Sequence, residues 1–298
     1  MTTETQPAAT FTPSRPRRSP SSVLRSAAHT AYRYVPLFIF AIAVGAPFLY
    51  MMTGSVRPQS ELFEAPISFI PDEYTLSNYE RLLTGEQIPF LRQVFNSVLV
   101  ACGQTVIGLF VASMVGWGFA MYSFKGQKVL FGLMLATLAI PFQVTLVPLF
   151  QLIERYGMLD SYLAVILPGS LTAFGAFFMR QAMMSLPKDI VEAGRIDGLS
   201  EWGLYWRIGL PLTRGASSVL GVLIYLAAWN DFLWPLIVLR TPEKFTFAIG
   251  LPALLSTTSS DYGALLAGSF LVTFPVILLF VLGRKQLLEN FTLGAVKG

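Results

Sequence analysis

A short run of aromatic and polar residues at positions 229–234, Trp-Asn-Asp-Phe-Leu-Trp, has the chemistry needed to bind a sugar. Sugars are held by aromatic faces and by amide or carboxylate hydrogen bonds, in pockets that are otherwise apolar. An ionisable residue within an apolar run is a functional candidate by default, which singles out Asp231. Asp231 and Trp234 could instead mark a membrane interface or pair between subunits. The predicted substrate contacts are Gln143, Trp229, Asn230, Asp231 and Trp234.

Several other kinds of chemistry are excluded by the residues present. The chain has one cysteine, Cys102, and one histidine, His29. These cannot form a disulfide, a Cys/His metal site or a His-based catalytic pair. The sequence lacks the phosphate-binding pattern G-x-x-x-x-G-K-[ST], so the chain should not hydrolyse ATP by that route. We therefore expect no catalytic residue, no metal site and no cofactor in this chain.

The composition is typical of a membrane protein. Of the 298 residues, 54% are apolar and 13% are charged, whereas soluble domains are roughly 25% charged. Uncharged runs occur at residues 34–56, 93–124, 129–153, 161–179, 215–230 and 262–283. A transmembrane helix needs about 20 mainly apolar residues, and the fifth run reaches this length by resuming after Asp231. The sequence predicts an all-α polytopic membrane protein with six transmembrane helices.

The basic residues are distributed unequally between the two sides of the predicted membrane. With the N-terminus in the cytoplasm, the inner segments hold 15 Lys and Arg, and the outer segments hold 6 together with 11 of the 17 acidic residues. Cytoplasmic loops are enriched in Lys and Arg. We therefore expect a multi-pass protein of the inner (plasma) membrane with both termini cytoplasmic. This orientation explains the distribution of charge, and no nucleic-acid partner is expected.

The chain is predicted to consist of a tail and a membrane domain. Residues 1–33, rich in Pro, Thr, Ser and Arg, are predicted to be a disordered basic cytoplasmic tail, and residues 34–298 the transmembrane domain. The arginines of the tail either orient the first helix and touch anionic lipid or bind a specific partner. A signal peptide cleaved near residues 41–43 is disfavoured, because the apolar stretch before it is too short. Residues 54–92 are predicted to be an extracytoplasmic loop.

Small residues in one apolar run and prolines in another predict how these two helices pack and bend. In the second run, Ala112 and Gly116 allow another helix to pack closely. In the third run, Pro141 and Pro148 should kink the helix. Such defects are tolerated at membrane depth mainly beside protein or a watery cavity, so one interpretation is that this helix lines a pathway.

The segment at residues 186–211 lies within a loop, residues 180–214, that is predicted to be cytoplasmic. Pro187 suits the first turn of a helix, and Asp189 complements the positive end of that helix. Gly198 fits the left-handed residue that ends a helix, and Ser200 fits the cap of the next one. We predict two short helices joined at a glycine elbow.

This loop should display apolar side chains in a region that faces water. They are Ile190, Ala193, Ile196, Trp202, Leu204, Tyr205 and Trp206. Apolar surface of this kind usually marks an interface, although Trp202 and Trp206 could equally anchor at lipid headgroups.

The same segment resembles the loop signature of ABC importer permeases, E-A-A-x3-G-x9-I-x-L-P. The residues in register are Glu192, Ala193, Gly198, Ile208, Leu210 and Pro211. Gly194 stands where the family usually has its second alanine. Stretches at residues 96–97, 140–148, 229–235 and 291–298 are similar to the MalG-type carbohydrate permeases, so the resemblance covers residues 34–298.

The resemblance implies a type I ABC importer permease fold, in which this loop forms a coupling helix that binds a separate ATPase. The residues it implies at that contact are Glu192, Ala193, Gly194, Asp197, Gly198, Ile208, Leu210 and Pro211. The implied partners are a second homologous permease in a heterodimer, a homodimeric ATPase that holds ATP and Mg²⁺, an extracytoplasmic substrate-binding protein and the lipid bilayer. The implied substrate is a sugar or oligosaccharide.

Two other functional classes stay open at this point. An ion-coupled secondary transporter would need charged residues deep in its helices, and Asp231 is the candidate. A polytopic membrane enzyme would need a nucleophile, a base and an orienting group at one membrane level, and the sequence offers no such set.

Overall fold

The computed structural model describes residues 20–64, 68–255 and 260–295, with side chains described from residue 32 to residue 278 and at residue 281. The chain divides into two units, Met1–Tyr50 and Met51–Gly298. In the described ranges the regular structure is helical, and the only β pairing is an isolated bridge between Leu255 and Ser260. The all-α prediction is confirmed.

Fourteen α-helices lie in the described ranges. They are α1 (Pro20–Gly54), α2 (Ser77–Thr84), α3 (Phe90–Met121), α4 (Gln127–Ala136), α5 (Phe142–Arg155), α6 (Tyr162–Ser170), α7 (Ala173–Met184), α8 (Lys188–Ile196), α9 (Glu201–Leu204), α10 (Leu210–Leu212), α11 (Arg214–Trp229), α12 (Leu233–Val238), α13 (Phe247–Gly250) and α14 (Tyr262–Ala295).

Helix α1 begins inside the segment that we predicted to be a disordered tail. It starts at Pro20, so the prediction is wrong for residues 20–33. Proline is favoured in the first turn of a helix, and no glycine or proline interrupts the chain between Pro20 and Pro36. The rest of the predicted tail, residues 1–19, lies outside the described residues.

Several helices are long and apolar enough to cross a membrane. Tyr32–Gly54 and Phe90–Met121 are single spans by length and composition. Bent helix pairs, at Gln127–Arg155, Tyr162–Met184 and Glu201–Trp229, could each supply one more span. The described part of α14 adds a shorter apolar stretch, Tyr262–Leu278. These elements fit a polytopic membrane protein, and the count of six transmembrane helices stays a prediction.

The sharpest bend lies at one of the two prolines that were expected to kink the third apolar run. The chain leaves helical geometry at Ile140 and Pro141, and α5 then departs at 102°. A residue that precedes proline is disfavoured in the α conformation, so the break falls at this dipeptide. Pro148, by contrast, lies inside α5, which continues through it. The predicted break at Pro141 is confirmed.

Helix α3 is the element against which α6, α7 and α11 pack. Its small residues permit this close packing. A Cβ added at Gly116 would lie 2.8 Å from the backbone nitrogen of Arg180 in α7. A Cβ added at Gly175 of α7 would lie 3.2 Å from the Cβ of Ala112. The prediction that Ala112 and Gly116 admit a neighbouring helix is confirmed.

Polar side chains join the first turns of α3 to the segment that follows α12. The Asn96 Nδ2 donates to the carbonyl oxygens of Glu243 and Phe245, each at 2.9 Å. The Ser97 Oγ accepts a hydrogen bond from the backbone N–H of Phe247 at 2.9 Å. Asn96 and Ser97 are both 2% exposed, and buried polar groups of this kind need partners. These two residues, which resemble those of carbohydrate permeases, therefore hold the fold together.

Two carboxylates fasten other segments of Met51–Gly298. Asp261, before α14, accepts hydrogen bonds from Arg81 of α2 at 2.8 and 3.1 Å. Asp160, between α5 and α6, accepts from Lys244 Nζ at 2.9 Å and from Thr241 Oγ1 at 2.6 Å. Burial alone would raise the pKa of each carboxyl, but these hydrogen bonds outweigh it and lower the pKa of both below the ordinary value. Both residues are therefore charged at neutral pH.

Candidate functional site: the loop at residues 186–211

The loop begins with α8, which ends in a Schellman motif. Gly198 is left-handed, with φ of 81°. The backbone N–H of Gly198 donates to the carbonyl of Arg195 at 3.1 Å, and that of Leu199 donates to the carbonyl of Gly194 at 3.0 Å. These two bonds define this type of helix end. The predicted glycine elbow is confirmed.

The second short helix, α9, starts at the predicted cap. The Ser200 Oγ accepts a hydrogen bond from the backbone N–H of Gly203 at 3.2 Å, as expected of a serine N-cap. The chain continues through one π-helical turn, Tyr205–Gly209, into α10. The axis then turns by 78° into α11. The predicted pair of short helices is confirmed.

An ion pair spans the elbow between α8 and α9. The Arg195 Nε donates to Glu201 Oε1 at 3.0 Å, and Tyr122 OH, one residue past the end of α3, donates to Glu201 Oε2 at 2.7 Å. The hydrogen bond from Arg195, followed by that from Tyr122, lowers the pKa of the Glu201 carboxyl. Arg195 and Glu201 are 40% and 49% exposed. Ion pairs this exposed add little stability, so the elbow is held mainly by its Schellman motif.

A second contact joins the loop to the interior of α3. Tyr205 is 2% exposed, and its hydroxyl lies 2.7 Å from the Ser113 Oγ of α3. The Tyr205 ring packs edge-on against Trp117 of α3, with centroids 6.1 Å apart. Trp117 also lies against Gly209, where an added Cβ would come within 2.6 Å of the indole. The loop therefore packs against α3 and is hydrogen-bonded to it.

Two side chains that we expected on the loop surface are buried. Leu204 is fully buried and Tyr205 nearly so, because the second half of the loop lies against α3. The expectation that these two face water is wrong. Trp202 and Trp206 are 55% and 52% exposed, and both rings pack edge-on against Tyr205. Their exposed surfaces leave both interpretations, a protein interface or a headgroup anchor, open.

Half of the residues that the resemblance places at a partner contact lie on the accessible elbow. Glu192, Ala193, Asp197 and Gly198 are exposed. Ile196, one of the predicted surface residues, lies among them and is 86% exposed. The elbow thus presents two acidic side chains and one large apolar side chain in a fixed arrangement. A complementary partner could recognise such a surface.

The other half lies on the inner side of the loop or beyond it. Gly194 is buried, since a Cβ there would lie 2.7 Å from Leu204 Cδ2 and 2.8 Å from Ile208 Cδ1. Ile208 and Leu210 are half-buried, and Pro211 is exposed where the loop turns towards α11. Gly194 and Ile208 therefore shape the loop from within.

A cavity of about 210 Å³ lies between α3 and α9. It is lined by Met114, Trp117, Gly118, Tyr122, Glu201, Trp202 and Tyr205. The loop and α3 thus do not pack continuously, and the hydrogen bonds of Glu201 and Tyr205 bridge the two elements beside this gap.

Two distant parts of the sequence that carry predicted substrate residues meet at an aromatic contact. Phe142, which precedes Gln143 in α5, packs edge-on against Trp234 of α12, with centroids 6.0 Å apart. Gln143 and Asn230 are exposed and Asp231 is half-buried. The structure thus places the start of α5 beside the start of α12 through the contact of Phe142 with Trp234.

The two tryptophans of this region are engaged within the chain. Trp229 is 3% exposed and packs against Tyr225 and Phe247, with centroids 5.8 and 4.8 Å away. Trp234 is 2% exposed, and its Nε1 donates to the carbonyl of Ala164 at 2.8 Å. Both indoles stabilise the fold, and their contact with a substrate stays a prediction.

Sequence reasoning missed the α3 residues that hold the loop. Ser113 precedes its partner Tyr205 by 92 residues, and Tyr122 precedes Glu201 by 79. The sequence offers only weak indications: Ser113 is a polar residue in an apolar run, and Tyr122 lies near the end of that run. Neither feature indicates which residue the side chain contacts.

Comparisons with known proteins identify the family to which the chain belongs. Residues 104–284 match the family described as binding-protein-dependent transport system inner membrane component. The arabinooligosaccharides transport system permease protein AraQ of Bacillus subtilis (strain 168) is 39% identical over 85% of this chain and 90% of its own length. The lactose transport system permease protein LacG of Rhizobium radiobacter is 31% identical over 89% of this chain and 95% of its own length.

A solved structure shares the fold. It is a chain of a bacterial ABC transporter involved in the import of the acidic polysaccharide alginate, which superposes with a TM-score of 0.76 at 22% identity and covers 91% of this chain and 99% of that chain. The family match covers more than half of the sequence, and the relatives align over nearly their whole length. The chain therefore belongs to the family of inner-membrane components of binding-protein-dependent transport systems, the permease subunits of ABC importers.

Proposed function

We propose that this chain forms half of the translocation pathway of an ATP-driven importer for a sugar or oligosaccharide. The names of its relatives, which include permeases for arabinooligosaccharides, lactose and diacetylchitobiose, support a substrate of this class. The side chains of Gln143, Asn230 and Asp231, which are exposed or half-buried, also support it, because amide and carboxylate groups hydrogen-bond sugar hydroxyls. In this proposal the three polar side chains contact the substrate, and contact of Trp229 and Trp234 with it stays a prediction.

The single observation that carries the coupling role is the rigid, exposed elbow at Gly198. Its shape is fixed mainly by the Schellman motif, and the Arg195–Glu201 ion pair spans it. Its surface offers Glu192, Ala193, Asp197 and Gly198 to a partner. A preformed surface loses little entropy on binding. We propose that this surface docks on a separate ATPase.

The functions that this chain does not perform are assigned to other subunits of the transporter. The chain has no phosphate-binding loop, so ATP and Mg²⁺ are assigned to a homodimeric ATPase on the cytoplasmic side, where both termini of this chain also lie. A second, homologous permease completes the pathway, and a substrate-binding protein delivers the sugar from outside. Closure of the ATPase dimer then moves the two permeases as rigid bodies between inward-open and outward-open states. Family membership argues against an ion-coupled secondary transporter.

The test is reconstitution of the complete transporter in liposomes. The chain is combined with its ATPase, the second permease and the substrate-binding protein, and uptake of labelled arabinooligosaccharides and lactose is measured with ATP on the ATPase side. We expect uptake that needs both ATP and the binding protein. The isolated chain, as a control, should hydrolyse no ATP. Uptake driven by an ion gradient without ATP would contradict the proposal.

A further inference from the structure

Helix α3 is bonded at both ends to segments on opposite sides of the predicted membrane. Its inner half contacts the loop through Ser113 and, just past its end, Tyr122. Its outer end contacts the segment at residues 243–247 through Asn96 and Ser97. Asn96 and Ser113 are 17 residues apart, which corresponds to about 26 Å along a helix. One continuous helix thus links the loop at residues 186–211 with the outer segment.

The loop itself offers no free hinge at its elbow. Gly198 is held by two backbone hydrogen bonds, and Arg195 bonds Glu201 across it. A displacement of the elbow can leave the loop through its side-chain contacts or through the chain, which enters the loop from α7 and leaves it towards α11. Val191 of α8 packs in one apolar cluster with Met183 of α7 and Tyr205, and the chain turns by 78° before α11. The contacts with α3 are direct.

The hydroxyl pair of Tyr205 and Ser113 is the contact best able to transmit a directed displacement. Both residues are buried, at 2% and 3% exposure, and their oxygens are 2.7 Å apart. Ring packing against Trp117 is less directional, and the adjoining cavity of about 210 Å³ leaves room for the ring to shift. The hydrogen bond restricts this freedom, because breaking it would leave the buried Tyr205 hydroxyl without a partner, whereas the Ser113 hydroxyl also donates to the carbonyl of Phe110 at 3.0 Å.

We propose that Tyr205 and Ser113 are positioning residues that carry the movement of the elbow into α3, and that α3 carries it to the outer segment at residues 243–247. This inference rests on the proposed coupling function. The α3 end at Asn96 completes the path, since its two hydrogen bonds tie the helix to the carbonyls of Glu243 and Phe245. Opening on the outer side is then linked mechanically to the ATPase.

The test uses Tyr205→Phe, Ser113→Ala and the double variant in the assembled transporter. Each single change removes one hydroxyl and leaves the helix intact. We expect the ATPase to co-purify as with the wild type, while sugar uptake per ATP hydrolysed falls about threefold to tenfold in each single variant, the range expected from the loss of one buried hydrogen bond. The double variant should be no worse than the worse single variant, because both remove the same contact.

A second readout reports on the outer segment. A fluorophore on Glu243→Cys, an exposed position, in a background with Cys102→Ser, should respond to ATP in the wild type. The response should be lost or weakened in Tyr205→Phe. A purely structural role for the tyrosine would lower the yield of protein without separating ATP hydrolysis from this signal.

Matched controls come from hydroxyls outside the path. Tyr156→Phe removes the hydroxyl of a residue that is 70% exposed, and Ser218→Ala removes a hydroxyl that bonds within its own helix. Both should retain normal uptake per ATP. Normal values in both test variants, losses that multiply in the double variant, or loss of ATPase binding in Tyr205→Phe would each overturn the inference. Failure of the wild-type chain to bind an ATPase would instead overturn the proposed function.

Discussion

Gly194 and Ile208 pack against each other across the elbow, so that a Cβ added at Gly194 would lie 2.8 Å from Ile208 Cδ1. The same Cβ would lie 2.7 Å from Leu204 Cδ2. Gly194 is the position at which this chain departs from the usual alanine of the family signature. The side chains of Leu204 and Ile208 therefore occupy the space that the alanine methyl would take.

We expect Gly194→Ala to be tolerated. The two atoms that the methyl would meet are the ends of flexible side chains, and shifting them costs about 1 kcal/mol or more. The substitution also raises helix propensity by about 1 kcal/mol, so the two effects nearly cancel. Sugar uptake should stay within about twofold of the wild type, with the ATPase still bound. Gly194→Val should lower uptake much further, and equal uptake by both variants would contradict this packing argument.

The Gly198 series tests the conformation of the elbow apart from its packing. A Cβ at Gly198 would have no atom within 4 Å, yet φ is +81°. Any effect must then come from the backbone, at roughly 1 kcal/mol or more for a residue with a side chain. Asparagine tolerates this region best and valine worst. Sugar uptake should be highest in Gly198→Asn, lower in Gly198→Ala and lowest in Gly198→Val. Equal losses in Gly198→Asn and Gly198→Val would show that the left-handed conformation of this residue is not required.

Asp160→Asn should lower thermal stability while preserving the local backbone. Asp160 has φ of 57°, a conformation that asparagine also tolerates, so the substitution isolates the charge. The carboxylate accepts hydrogen bonds from Lys244 and Thr241, and weakening them should cost on the order of 1 kcal/mol. Thermal unfolding in detergent measures this loss. Asp72→Asn, at an exposed site, is the control and should not change the melting temperature.

The same carboxylates predict resistance to mild acid. The pKa values of Asp160 and Asp261 are lowered in the folded protein, so their contribution to stability is fully present above the unfolded pKa of about 3.9. It is lost only as the pH falls below that value, through the lower folded pKa. The melting temperature should therefore show no loss from these two groups between pH 7 and pH 5. A sharp drop in that interval that Asp261→Asn abolishes would contradict the assignment.

The residues within the loop were sufficient to predict the elbow, but they were insufficient to predict the contacts with α3 that hold the loop in place. Gly198 and Ser200 act on neighbours three to five residues away, through backbone geometry that any reader of the sequence can apply. The partner of Tyr205 is 92 residues away, and that of the Trp234 indole is 70 residues away. Such contacts depend on how helices pack, which periodicity alone does not fix. From the sequence, Tyr205 is therefore predicted to face water and Trp234 to contact substrate or mark an interface, although both are buried within the chain.

Burial also limits which outer positions can be labelled through an introduced cysteine. Gly250 lies in a segment that the charge distribution places outside. The residue is buried, and an added Cβ would collide with the Gln93 side chain. Glu243, in the same segment, is exposed and avoids the problem.

The orientation of the chain can be tested by cysteine labelling in a background with Cys102→Ser, since Cys102 is exposed on α3. Cysteines that replace Glu80 and Glu243 should react with a membrane-impermeant reagent in sealed cells. A cysteine that replaces Lys125, an inner residue that is not among those proposed to contact the ATPase, should react only after the cells are opened. All three positions are exposed, so accessibility of the side chain does not limit the reaction. The expectation rests on the 15 inner and 6 outer basic residues, and labelling at position 125 in sealed cells would reverse the assigned topology and remove the loop from the ATPase side.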